Sequence, residues 1–262
     1  MAEGHVASIG GFVAGYIDVT GLRTWHEVRG EGPPVVLLHA AFSGAAAWST
    51  QAPALVAAGF RVHVPERRGH GHTPDVDAPL SYAVMAEDTA DYLDAVVRER
   101  AHLIGWSDGA VVALLVAQRR PELVERMVLI GKYYNSPGRV SGSDLERFLR
   151  TEEAQAHLQR RYEAVSPDGP EHFPVVYDKT MKMIDSEPEL DLSTFASVAA
   201  PTLVLQADHD VVTLEHGAAV ATALANGRLA VLPGTHSLPV ERPEVVNPLL
   251  VWFLRESAPA PA

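Results

Sequence analysis

The sequence predicts an α/β domain: a mostly parallel sheet with helices on both faces, broken once by a helical insertion. Three observations predict it. Short β-rich runs alternate with stretches of helical periodicity. Several of the runs are apolar throughout, as in PPVVLLHA, which suits strands buried on both faces. The alternation stops after residue 131 and resumes at residue 198.

The elements follow in order. Two strands, near Phe12–Val19 and Thr24–Val28, close as a hairpin around Thr20-Gly21. PPVVLLHA is the third strand, and a helix near Ala46–Ala57 follows it. FRVHVPE is a fourth strand, ending in the glycine loop RRGHGHTPD. Ser81 can cap a long helix to about Val97. HLIGW is a strand, and the helix after Ser107 runs to about Arg119, before the break at Pro121. RMVLIG is the next strand. From 132 to 197 the periodicity is helical, with no convincing strand. The rhythm returns with APTLVLQA, a helix near Leu214–Ala225, the strand RLAVLPG and a last helix from about Pro243 to Leu254. The expected organisation is therefore a core in two parts, 1–131 and 198–257, a helical cap or lid over 132–197, and a disordered tail, 258–262.

Composition narrows the classes. The chain has 262 residues, enough for one large core, and 47% of them are hydrophobic. No apolar run approaches the roughly 18 residues of a membrane span. The first residues lack the basic and apolar regions of a signal peptide. No cysteine is present, so disulfides, thiolate catalysis and cysteine metal sites are excluded. The formal net charge of −12 repels phosphate backbones, so nucleic-acid binding is not expected. A cytoplasmic protein, monomeric or homodimeric, that acts on a small molecule without cofactor or metal fits these facts.

HLIGWSDGA carries the chemistry. Gly105-Trp106-Ser107-Asp108-Gly109 fits G-x-S-x-G, directly after a predicted strand and before a predicted helix. So tight a reversal crowds the backbone, and glycines two residues either side relieve the clash. The serine is left at the tip, near a helix N-terminus, with the N–H of Asp108 pointing where an oxyanion would form. A serine hydroxyl needs a base. Among twelve histidines, His236 sits in the loop after the last predicted strand and can swing over the sheet top. The base needs an acid. LVLQADHDVV offers Asp210, farther past the strand end, and Asp208 as the alternative, which otherwise reads as a turn former. His209 between them reads as exposed.

The chain order Ser107, Asp210, His236, the G-x-S-x-G elbow, the histidine-led loop after the third strand and the loop Arg68-Gly69-His70-Gly71 together resemble the α/β-hydrolase superfamily. The resemblance implies an α/β-hydrolase fold with an eight-stranded sheet, and a serine hydrolase of the carboxylic ester type working through an acyl-enzyme. It also implies a second oxyanion donor, the N–H of Ala41. The usual His-Gly reads His39-Ala40 here, so the loop must avoid a positive φ at Ala40 or carry the strain. Gly-Trp-Ser-Asp-Gly is further similar to the biphenyl-hydrolase-like group that includes valacyclovir hydrolase, where the aspartate after the serine helps hold a substrate ammonium. Carried over, that residue is Asp108, against a solvated first-turn acid as the plain alternative.

Phe42, Trp106, Tyr133 and Tyr134 are the expected substrate-binding side chains, each with simple packing as its alternative. Arg67, Arg68, His70 and His72 read as an anion site or, more simply, as a structural loop beside the elbow with Arg68 pinned. The substrate expected is a small ester, amide, thioester or lactone, an α-amino-acid ester among them. C–C bond hydrolysis and perhydrolysis are alternatives on the same triad. A ligand receptor keeping the same fold is the alternative from another class.

Overall fold

The computed structural model describes residues 7–9 and 12–256, so the tail 258–262 lies outside the described residues. The strands are β1 (Ala7–Ile9), β2 (Phe12–Val19), β3 (Leu22–Arg29), β4 (Pro34–Leu38), β5 (Arg61–Pro65), β6 (Ala101–Trp106), β7 (Val124–Ile130), β8 (Thr202–His209) and β9 (Gly227–Thr235). The helices are α1 (Gln51–Ala57), α2 (Tyr82–Tyr92), α3 (Asp108–Arg119), α4 (Asp144–Leu149), α5 (Glu152–Glu163), α6 (Phe173–Ser186), α7 (Leu214–Ala223), α8 (Leu238–Glu241) and α9 (Pro243–Arg255). All strands join one sheet in the order β1-β2-β3-β5-β4-β6-β7-β8-β9. β2 to β9 are the eight strands expected, and β1 adds a three-residue edge antiparallel to β2. From β5 through β4 to β9 every pairing is parallel.

The central strands bury both faces because their side chains alternate between two cores. In β4, Val36 and Leu38 point to a cluster built with α2, α3 and α7, through Met85, Leu114 and Val220. Val35 and Leu37 point the other way, to Leu55 of α1 and to Leu250 and Phe253 of α9. Each such fully buried aliphatic side chain contributes about 1.5–3 kcal/mol.

Two expected helices are modified. The helix near Ala46–Ala57 is a 3-10 turn, Ala45–Trp48, followed by α1. Pro53 has no N–H to give, so it is tolerated only within the first turn of a helix that restarts at Gln51. The helix capped by Ser81 is α-helical to Tyr92 and then opens into a π turn, Leu93–Val97. Arg98, at φ 61, closes that turn through its N–H to Leu93 O at 2.7 Å.

The parallel strands put their carboxyl ends on one rim. β4 leads to β5 on one side, and the chain returns to β6 on the other. The loops after β4 and β6 therefore diverge, and ligands bind in the crevice at such a switch point. Helices α4, α5 and α6 lie between β7 and β8 in sequence.

Candidate active site

Ser107 stands between β6 and α3 with φ 54 and ψ −118, a strained conformation for a non-glycine residue. Its N–H is anchored to Ile130 O at 2.8 Å. The glycines are required by close approach: a Cβ on Gly105 would strike the Gly109 carbonyl, and one on Gly109 would strike Leu38 O. The elbow is thus wedged against β4, which carries the neighbouring loop.

That loop, 39–42, meets the serine. His39 Nε2 accepts from the Arg67 N–H at 3.1 Å, so its other nitrogen carries the proton and donates to Ala40 O at 2.8 Å. Arg67 Nη2 also reaches Ala40 O, at 3.3 Å. Burial holds the His39 ring well below its ordinary value, and Arg67, His70 and Arg161 add to the effect, so the ring is neutral. The left-handed residue of the loop is Phe42, at φ 53, and Ala40 is free of positive φ. Among the described residues the N–H groups of Ala41 and Asp108 make no backbone hydrogen bond, and both residues line the same cavity as Ser107.

His236 and Asp210 also meet. His236 Nδ1 lies 2.7 Å from Asp210 Oδ1, which accepts the Val211 N–H at the same distance. Trp106 Nε1 donates to His236 O at 2.9 Å, so this tryptophan both lines the cavity and pins the histidine loop. Among the described residues no hydrogen bond joins the Ser107 hydroxyl to the His236 ring, although both line one cavity. Asp208 is exposed and accepts the Gly234 N–H at 2.9 Å, which is a turn-forming role, and His209 is exposed.

The cavity has a volume of about 300 Å³, the size of a small ligand site. Phe42, Trp106 and Tyr133 line it, together with Leu149, Leu158 and Met181 from α4, α5 and α6. Tyr134 does not. It is buried against Phe195 and His216, because adjacent residues after β7 turn to opposite sides and only one can face the cavity.

Asp108 is not the solvated acid of the plain alternative. Its side chain is 1% exposed and its Oδ1 accepts from Lys132 Nζ at 2.8 Å and Tyr82 OH at 2.7 Å. Burial works to raise its carboxyl, but the charges of Lys132 and Arg67 outweigh this and hold it below the usual range. Lys132 thus stands where the resemblance would put a substrate ammonium.

The glycine loop is structural. Arg68 makes a bidentate pair with Asp88, both contacts at 2.6 Å. His70 is buried, and burial pushes it down to about 4. His72 bonds Glu66 at 3.0 Å. Arg67 is the exception, through its bonds to His39 and Ala40 of the 39–42 loop. Sequence reasoning also missed Gly131, at φ 60: a Cβ there would lie 2.9 Å from Asp210 Oδ2 and 3.3 Å from His236 Nδ1. The glycine ending RMVLIG was its only signal. Among the described residues no group of three His, Cys, Asp or Glu side chains is placed to hold a metal ion. No helix among them is long and apolar enough to cross a membrane.

A family model, described as alpha/beta hydrolase family, matches residues 35–249. The chain belongs to the alpha/beta hydrolase family. Its relatives include a protein of Mycobacterium tuberculosis named "Putative non-heme bromoperoxidase BpoC", 27% identical over 252 residues, covering 87% of this chain and 96% of the relative. The human "Serine hydrolase BPHL" is 32% identical over 120 residues, 44% of this chain and 41% of its own. A solved hydrolase from Pseudomonas aeruginosa PA01 superposes with a TM-score of 0.73 at 26% identity, covering 95% of this chain and all of its own. The chain is an alpha/beta hydrolase by sequence and by fold.

Proposed function

We propose that this hydrolase is a serine enzyme cleaving a small carboxylic ester, thioester or lactone through an acyl-enzyme on Ser107. One observation carries the reading: the strained Ser107, the free N–H groups of Ala41 and Asp108, and His236, which is paired behind with Asp210, all line one cavity. Asp210 takes the Nδ1 proton of His236, which leaves Nε2 as the base for the serine. Nε2 removes the Ser107 proton as Oγ attacks the carbonyl, and the two N–H groups hold the oxyanion. Nε2 then protonates the leaving group and activates water for deacylation. The segment 132–197 acts as a cap, since its helices supply the apolar wall opposite the serine.

The test is turnover of short p-nitrophenyl esters by the wild type and by Ser107→Ala. A loss of about 10^4-fold or more in kcat is expected. A fluorophosphonate should add to the wild type at Ser107, read by mass spectrometry of the peptide. An alanine variant that kept most of its rate would overturn the reading, and so would a wild type inert to a broad ester panel and to the probe.

A further inference from the structure

The charges around the cavity are unequal in one respect. Lys132 is paired with Asp108 at 2.8 Å, Arg139 with Glu146 at 2.8 Å, and Arg150 with Asp185 at 2.6 Å. Arg161, in the last turn of α5, also lines the cavity, and among the described residues it has no carboxylate partner. The two acids of the lining, Asp108 and Glu146, are both taken. Asp108 Oδ2 is buried and has no hydrogen-bond partner, the other oxygen holding Lys132 and Tyr82.

Arg161 also marks a seam. A second cavity of about 290 Å³ lies between the 66–72 loop and helices α5 and α6. Phe42, Leu158 and Arg161 line both cavities. The acids of this second lining are also engaged: Glu27 with Arg29 at 2.6 Å, and Glu66 with the Ala45 N–H at 2.8 Å and with His72. The charge of Arg161 reaches the core as well. Behind burial, Arg67 and His70, it is one of the groups that hold the His39 ring low. An arginine closing a helix complements the dipole, but Arg160 beside it already does so.

Both cavities therefore offer an anion one guanidinium without a carboxylate partner, on the exposed Arg161, while every carboxylate of their linings already holds at least one partner, in a chain whose formal charge is −12. We propose that the substrate is an anionic acyl compound, an ester or lactone bearing a carboxylate, and that Arg161 binds this carboxylate at the seam between the two chambers. This deepens the serine-hydrolase reading and rests on it for the acyl chemistry alone. Guanidinium and carboxylate are matched for two parallel hydrogen bonds. An α-ammonium ester would instead meet Lys132 on the aspartate it needs.

The experiment reads binding apart from turnover. Ser107→Ala protein is titrated calorimetrically with monomethyl glutarate, with its neutral match methyl pentanoate, and with methyl 5-aminopentanoate. The carboxylate is expected to bind about tenfold more tightly than the neutral ester, or better, and the ammonium ester no better than the neutral one. Ser107→Ala/Arg161→Gln should bring the carboxylate and neutral ligands within about twofold, and Arg161→Lys in the same background should keep part of the gap. In the wild type, the kcat/KM ratio of p-nitrophenyl monoglutarate to p-nitrophenyl pentanoate measures a carboxylate on the acyl side. Butyrate esters of 4-hydroxybenzoate and of phenol measure it on the alcohol side. No preference for the carboxylate in any of these, or a preference that survives Arg161→Gln, overturns the anion site. Carboxylate binding lost with Arg161, in a protein that hydrolyses no ester, would keep the site and overturn only the esterase reading.

Discussion

Lys132 and Asp108 are two charges withdrawn from water, 4% and 1% exposed in their side chains. Removing one partner leaves the other uncompensated. Lys132→Met is expected to cost about 3–5 kcal/mol in urea unfolding, and Lys132→Met/Asp108→Asn to recover most of it. A double variant no more stable than the single one would show that the pair carries no such penalty. Gly131→Ala tests the proposed triad from behind. The added Cβ presses on Asp210 and His236, and φ 60 suits alanine poorly. A fall in kcat of about tenfold or more is expected with little change in KM, because displacement of the proposed base acts on the reacting geometry. At this scale Ser107 was legible because its signal is local: the glycines, the strand before and the helix after are all consecutive. Lys132, Arg67 and Gly131 were not, since each matters through a partner 24 to 105 positions away in the chain.

Helices α4 to α6 are tied to the sheet domain at Asp75. Its Oδ2 accepts from Lys179 Nζ at 2.7 Å and contacts His172 Nε2 at 2.8 Å, and its N–H donates to Asp168 at 2.7 Å. Burial favours the neutral acid, but Lys179 and His172 prevail and its carboxyl lies below the ordinary value. Asp75→Ala is expected to raise hydrogen exchange over residues 166–179 and leave the strands β4, β6 and β7 protected, at a cost of about 2 kcal/mol or less. Unchanged exchange in that segment would remove Asp75 as the tie. Element type was legible almost throughout. Element ends were not: Pro53 restarts α1, and a π turn closes the helix after Tyr92. Both depend on which hydrogen bond the packed chain leaves open to a given N–H.

Across the whole molecule, several histidines are held neutral inside the fold. Burial pushes His63, His70 and His102 down to about 4, against about 6.5 in an unfolded chain. Between those values the unfolded state binds more protons, so stability rises with pH there. It is complete above about pH 6.5 and falls as the pH drops toward 4, by about 1.4 kcal/mol per pH unit for each histidine still uncharged in the fold. Calorimetric Tm should therefore fall steeply from pH 6.5 to 4.5 and change little from pH 7 to 8. A flat Tm over the acid range would contradict the neutral, buried placement of these rings.

Periodicity, turn residues and one pentapeptide by themselves determined the class of fold, the succession of strands and helices along the chain and the place of the elbow, because those signals are carried by neighbours in sequence. Tertiary structure alone decided which of Tyr133 and Tyr134 faces the cavity, that Asp108 is spent on Lys132, and that Arg161 is left without a carboxylate. Charge pairing in a folded chain is settled by distance in space and by the cost of desolvating each group, and neither is written in the order of the residues.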